Sequence, residues 1–147
     1  MATTFHYTYD DCVRGVEKIA QLIQAKEEQF DFIVGVARGG CIPSVLLSHK
    51  LAIPLIVINR SRIDHPEINE AGINQILYGK RILIVDDIVD SGTTISDIIK
   101  DYSSVVEYQK VCALLYNVAQ EIKVDYYHKT IDRTTEKRWV HFFWEII

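Results

Sequence analysis

Cysteine is scarce in this chain. Cys12, Cys41 and Cys112 are odd in number and widely spaced, which excludes a disulfide framework and a Cys-x-x-Cys metal knuckle and leaves them as small core residues. His6, His49, His65, His128 and His141 have no His-Glu-x-x-His spacing, and no Ser/His/Asp order stands out. The phosphate loop Gly-x-x-x-x-Gly-Lys-Ser/Thr is missing, as is the dinucleotide pattern Gly-x-Gly-x-x-Gly. There is also no excess of positive charge: 16 Lys and Arg stand against 20 Asp and Glu, a formal charge of −4. Nucleic acid and membrane surfaces are anionic, so neither is expected as a general partner. No apolar run approaches the roughly 18 to 20 residues of a membrane span. The start, MATTFHYTYDDCV, has neither a basic beginning nor a long apolar core, and the chain is expected in the cytoplasm. Internal repeats and low-complexity linkers are absent as well.

What is present suits one globular domain over 1–147, nearly half apolar and a quarter charged. Thr8 or Asp10 can cap a helix in which Val13, Val16, Ile19, Ala20 and Ile23 recur at helical spacing. Buried strands are expected at Phe30 to Val36, Leu55 to Ile58, Ile82 to Val85 and Val111 to Tyr116, with helices at Ile42 to Leu51 and Thr93 to about Tyr102. The alternation predicts an α/β fold, a parallel sheet covered on both faces through right-handed crossovers. Val124 to Ile131 and Trp139 to Ile146 are expected to complete that sheet. Asn59 to Gly79 is long and polar for a connection and reads as a mobile hood. His128 to Arg138 carries six acidic or basic residues and leads into the aromatics Trp139, Phe142, Phe143 and Trp144.

Chemistry concentrates in ILIVDDIVDSGTTISDII, Ile82 to Ile99. A β-branched run ends in Asp86 and Asp87, and Ser91, Gly92, Thr93 and Thr94 then supply hydroxyls, a permissive backbone position and an N-cap for the helix that follows. Orphan amides at a helix N-terminus attract phosphate, whereas adjacent acids suit a sugar diol or Mg2+. A phosphorylated sugar satisfies both. A second strand, from Ile33, runs into Ala37-Arg38-Gly39-Gly40 before another helix, where close-approaching amides and an arginine suit a second anion. In open α/β sheets both loops lie at the carboxyl ends of strands, where ligands bind.

Four apolar residues, an acidic pair, two spacers and then D-S-G-T-T resemble the phosphoribosyl pyrophosphate (PRPP) signature of the type I phosphoribosyltransferases. Taken with FHYTYDDCVRGVEKIA, FIVGVARGGCIPSVLLSHKL and WVHFFWE, the chain most resembles the small bacterial xanthine-guanine and hypoxanthine-guanine enzymes of that family. The resemblance implies a Rossmann-like central parallel sheet with a small hood at 59–79 and a base-side segment at 132–147. It implies that Asp90, Ser91, Gly92, Thr93 and Thr94 cradle the 5-phosphate, and that Ala37, Arg38, Gly39 and Gly40 hold pyrophosphate, commonly through a cis non-proline peptide. Asp86 and Asp87 would serve the ribose hydroxyls and Mg2+. Asp90 would manage the proton on the base, Trp139 would stack on it, and the backbone at Val140 would meet its edge. The partners implied are PRPP, a nucleobase and further copies of the chain in a homo-dimer or homo-tetramer.

Two departures bear on specificity. Where the family carries a Lys-Pro pair whose lysine donates to the 6-oxo group of a purine, this chain has Leu115-Tyr116-Asn117-Val118. Asn117 is expected to read either an oxo or an amino group instead. In the hood, acidic Glu67 falls where an arginine is common, and Arg60 and Arg62 are candidates for its task. A non-catalytic nucleotide sensor on the same fold, and a transferase for a non-purine acceptor, are the alternative functions.

Overall fold

A computed structural model describes residues 3–60 and 71–145. Elements run β1 (Thr4–Tyr7), α1 (Tyr9–Ala25), β2 (Phe32–Ala37), α2 (Cys41–Leu51), β3 (Leu55–Asn59), α3 (Ala71–Leu77), β4 (Arg81–Val89), α4 (Thr93–Tyr102), β5 (Tyr108–Asn117), β6 (Tyr126–Ile131) and β7 (Trp139–Phe142). Five strands form one sheet in the order β3-β2-β4-β5-β6, every neighbour parallel. Parallel strands need both faces covered. The alternation along β2 and β4 divides the core accordingly: Ile33, Leu83 and Val85 pack with α1 and α2, and Val34, Ile82 and Ile84 pack with α4 and Leu77 of α3. Ile82 to Val85 have no exposed surface at all.

α1 begins at a reciprocal cap, in which Thr8 Oγ1 accepts from Asp11 N–H at 3.1 Å and Asp11 Oδ2 accepts from Thr8 N–H at 2.9 Å. Its buried stripe of Cys12, Val16, Ile19, Ala20 and Ile23 keeps the expected helical spacing.

Three expectations need correction. The final segment does not complete the sheet, because β7 pairs instead with β1 in a separate two-stranded parallel sheet, Phe5 opposite Val140 and Tyr7 opposite Phe142. Its burial alternates, with Val140 and Phe142 in and Trp139 out, a pattern for a strand covered on one face. β4 reaches Val89, so Asp86 and Asp87 lie within the strand rather than after it. The connection after β3 contains helix α3 near its end; Arg62 and Glu67 lie outside the described residues. Among the described residues no helix is long and apolar enough to cross a membrane.

Candidate active site

β2 and β4 are adjacent and parallel, so the turns that follow them emerge side by side at one sheet edge. In the first, Ala37 and Arg38 are joined by a cis peptide and Gly40 starts α2 without a side-chain cap. Backbone packing demands glycine at 40, and the Asp87 side chain crowds position 39. A Cβ at Gly40 would stand 2.5 Å from the Val85 carbonyl oxygen and 2.6 Å from that of Val36, and one at Gly39 would stand 1.9 Å from Asp87 Oδ2. In the second turn Gly92 has φ +86°, a left-handed conformation that favours glycine, and starts α4 without a side-chain cap. The expectation that a hydroxyl caps α4 is thereby corrected. Thr93 N–H donates to Ser91 Oγ only at 3.4 Å, and the N-terminal amides of a helix without a side-chain cap are of the kind that can donate to an anion.

The acid pair serves both turns. Successive strand residues face opposite sides: Asp86 lines a cavity of about 110 Å³ with Asp90, Ser91, Gly92 and Thr94, and Asp87 lines one of about 490 Å³ with Arg38, Gly39, Trp144 and Glu145. Asp86 Oδ1 accepts from Asp87 N–H at 2.8 Å and Asp87 Oδ1 from Ile88 N–H at 2.7 Å. Neither acid has an ion pair among the described residues, and the Arg38 guanidinium beside Asp87 has none either. Burial, with the charge of Asp87 behind it, holds Asp86 well above the usual carboxylate range, and burial raises Asp87 with a contribution from Glu145. Two desolvated carboxylates with spare oxygens fit Mg2+, which typically takes one or two carboxylates and fills its remaining positions with substrate oxygens and water.

The surroundings of Asp90 are assembled differently. Asp90, just past β4, is held by Arg133 from the β6–β7 connection: Nε donates to Oδ1 and Nη2 to Oδ2, both at 3.0 Å. Asn117, at the end of β5, is only 5% exposed. Its Nδ2 donates to the Asp90 carbonyl at 2.9 Å, and its Oδ1 accepts from Ala119 and Arg133 N–H, both at 3.1 Å. Both lone pairs of that oxygen are taken. The expectation that Asn117 presents either end of its amide to a base is therefore corrected; one N–H remains. Trp139 is 67% exposed and open to stacking, while Val140 is buried. Arg60 forms an ion pair with Asp101 at 2.6 Å, near the end of α4 opposite Gly92.

Sequence reasoning missed three residues. Arg133 appeared only as one charge in a polar run, and no local pattern announces a partner 43 positions away. Trp144 and Glu145 were seen as part of an aromatic tail, although their arrival opposite Arg38 and Asp87 depends on β7 pairing with β1.

A family model described as the phosphoribosyl transferase domain matches residues 9–146. A xanthine-guanine phosphoribosyltransferase of Idiomarina loihiensis is 25% identical over 151 residues, 97% of this chain and 87% of the relative. An orotate phosphoribosyltransferase of Bartonella henselae is 35% identical over 95 residues, 65% of this chain and 46% of the relative. The crystal structure of a purine phosphoribosyltransferase from Pyrococcus horikoshii superposes with a TM-score of 0.78 at 28% identity, covering 99% of this chain and 96% of that one. With two anion turns flanking an acid pair, and the family model spanning almost the whole chain, the protein belongs to the phosphoribosyltransferase enzyme family.

Proposed function

We propose that this protein transfers the 5-phosphoribosyl group of PRPP to a purine base, releasing pyrophosphate, as a purine salvage enzyme of the cytoplasm. The observation that carries the reading is the division of Asp86 and Asp87 between two cavities, one under each anion turn, a distance apart set by neighbouring strands. A ligand with an anionic group at each end and a diol between them matches that layout. Full-length similarity to a xanthine-guanine enzyme and to a purine enzyme supports the choice of acceptor.

In this reading the whole of 1–147 is one transferase domain, with 59–79 as its hood and 132–147 on the base side. Ser91 to Thr94 hold the 5-phosphate with Asp90 at their head, and Ala37 to Gly40 hold pyrophosphate. Arg60 and Arg62 are the candidates for a hood contact; Arg60 would have to leave Asp101 to make it, and Arg62 lies outside the described residues. Asp86 and Asp87 hold the ribose hydroxyls and Mg2+, whose chemistry when bound is to neutralise charge on the departing pyrophosphate. The C1–pyrophosphate bond breaks as the base nitrogen closes on C1, and the ring carries positive charge between the two events. Arg38 and the amides of its turn stabilise the leaving anion. Asp90 accepts the proton released by the base. Trp139 stacks on the base, and the Val140 backbone with the remaining Asn117 N–H faces its edge. Stacking and orientation supply acceleration through position alone. Exposed Tyr9 and Val13 on α1, with Ile42, Val45 and Leu46 on α2, support assembly as a homo-dimer or homo-tetramer.

The test is turnover with PRPP and Mg2+ against hypoxanthine, guanine, xanthine, adenine and orotate. Transfer to at least one purine is expected, and the pair Asp86→Asn with Asp87→Asn should lose more than about a thousandfold in kcat/KM while circular dichroism shows the fold retained. PRPP binding without transfer to any base would point to a nucleotide-sensing regulator, and transfer to orotate alone to a non-purine acceptor.

A further inference from the structure

We propose that Arg133 is a positioning residue for the base half of the site, locking the Asp90 carboxylate and the approach to Trp139 into one unit. The proposal rests on the reading of Asp90 as the group beside the base.

Asp90 stands in a turn, with its carboxylate 45% exposed, and its side chain makes no hydrogen bond among the described residues besides those from Arg133. A short acid so placed would ordinarily sample several rotamers. The guanidinium removes that freedom, because two parallel bonds at 3.0 Å fix the plane of the carboxylate as well as its position. Each carboxylate oxygen keeps a lone pair for another donor. Arg133 is itself immobilised: Nη1 donates to the Glu136 carbonyl at 3.2 Å and to the Arg138 carbonyl at 2.6 Å, so four of its five N–H groups are in use. Arg138 directly precedes Trp139. The main chain closes the same loop, since Asn117 donates to the Asp90 carbonyl and accepts from Arg133 N–H.

An isolated surface ion pair would deserve little weight. This one differs in being bidentate, in having an arginine side chain only 22% exposed, and in joining three segments far apart in sequence. A lysine cannot reproduce it, for a point charge fixes neither the carboxylate plane nor two carbonyls at once.

The experiment is a double-mutant cycle between Arg133 and Asp90 in the full chain, using Arg133→Lys, Arg133→Gln, Asp90→Asn and the pair Arg133→Gln with Asp90→Asn. It is read on kcat with the best base, on the PRPP dissociation constant by calorimetry, and on the dissociation constant of a purine nucleoside 5-monophosphate. Arg133→Gln should lower kcat about 10- to 100-fold, while PRPP affinity stays within about threefold. Arg133→Lys should recover less than half of the loss on a logarithmic scale. In the Asp90→Asn background Arg133→Gln should cost less than about threefold, since no carboxylate remains to be oriented. Equal losses in both backgrounds would reduce Arg133 to a brace of its own turn and overturn the proposal, as would unchanged kcat in both single variants. If the unaltered chain transfers to no base, the function fails while the monophosphate cycle decides the positioning role: coupling there supports it, and additivity overturns it.

Discussion

Under the proposed function, the PRPP side and the base side of the site are built by opposite means. On the first, each turn is a contiguous stretch, Ala37 to Gly40 or Asp90 to Thr94, mounted between a buried strand and its helix, with the acids on β4, which leads into the second turn and lies beside the strand that leads into the first. On the second, no contiguous stretch suffices: Asp90 after β4, Asn117 at the end of β5 and Arg133 in the β6–β7 connection meet through hydrogen bonds spanning 16 to 43 positions, and Trp139 opens β7. The difference teaches where each half is vulnerable. Damage to the first should be local and chemical, whereas damage to the second should spread into stability.

The largest expected effect is on the local half. Arg38→Ala removes a cation that has no ion pair among the described residues and lines the Asp87 cavity, so folding should be untouched. PRPP binding should weaken about 10- to 100-fold, the range of a lost charge-assisted contact of about 1.5–3 kcal/mol, and a nucleoside monophosphate should bind almost as before. Equal weakening of both ligands in calorimetry would break the assignment of that turn to pyrophosphate.

The next effect separates two members of the base half. Asn117→Ala should destabilise the protein by about 1–3 kcal/mol by leaving the Asp90 carbonyl and two backbone amides without their partner. In a chain of this length each kcal/mol corresponds to roughly 2–4 °C in Tm. Trp139→Ala, at a residue two-thirds exposed, should leave Tm within about a degree and instead weaken base binding by about 1–3 kcal/mol, the usual range for base–aromatic stacking. A Tm loss for Trp139→Ala as large as that for Asn117→Ala would erase the distinction.

The smallest effect lies at the packing that carries β1 and β7. Tyr7 Oη donates to the Asp11 carbonyl at 3.1 Å and lies 2.8 Å from His128 Nδ1. Burial first, and then the charges of Lys129 and Lys18, hold His128 below its ordinary pKa. The unfolded chain therefore takes up the proton more readily than the folded one. Stability from this group is complete above about pH 6.5, the unfolded value, and is lost as pH falls through the folded value. Thermal melts between pH 7.5 and 5.5 should show a shallow decline that His128→Gln flattens; an unchanged slope would remove His128 from the balance.

Legibility followed the same division. The turn 90–94 and the acid pair were readable because a strand's buried run, a left-handed glycine and a helix start are dictated by neighbouring residues. The helical stripe of α1 was readable for the same reason, whereas the sequence allows either Asp10 or Thr8 as its cap and the structure places Thr8 there. β1 was not, since four residues with mixed burial carry little periodicity without their partner strand. Asn117 was misread because a polar residue at a strand end looks available until its partners are known.

By itself, then, the sequence determined the parallel α/β sheet and the strand–turn–helix junctions at 37–40 and 90–94, because short-range sterics and burial patterns act along contiguous residues. Only the tertiary structure decided that β7 joins β1, that Trp144 and Glu145 face Arg38 and Asp87, and that Arg133 grips Asp90. Those outcomes depend on which distant segments the sheet brings to one edge, and a hydrogen bond between residues 43 positions apart leaves no periodic trace in the chain that makes it.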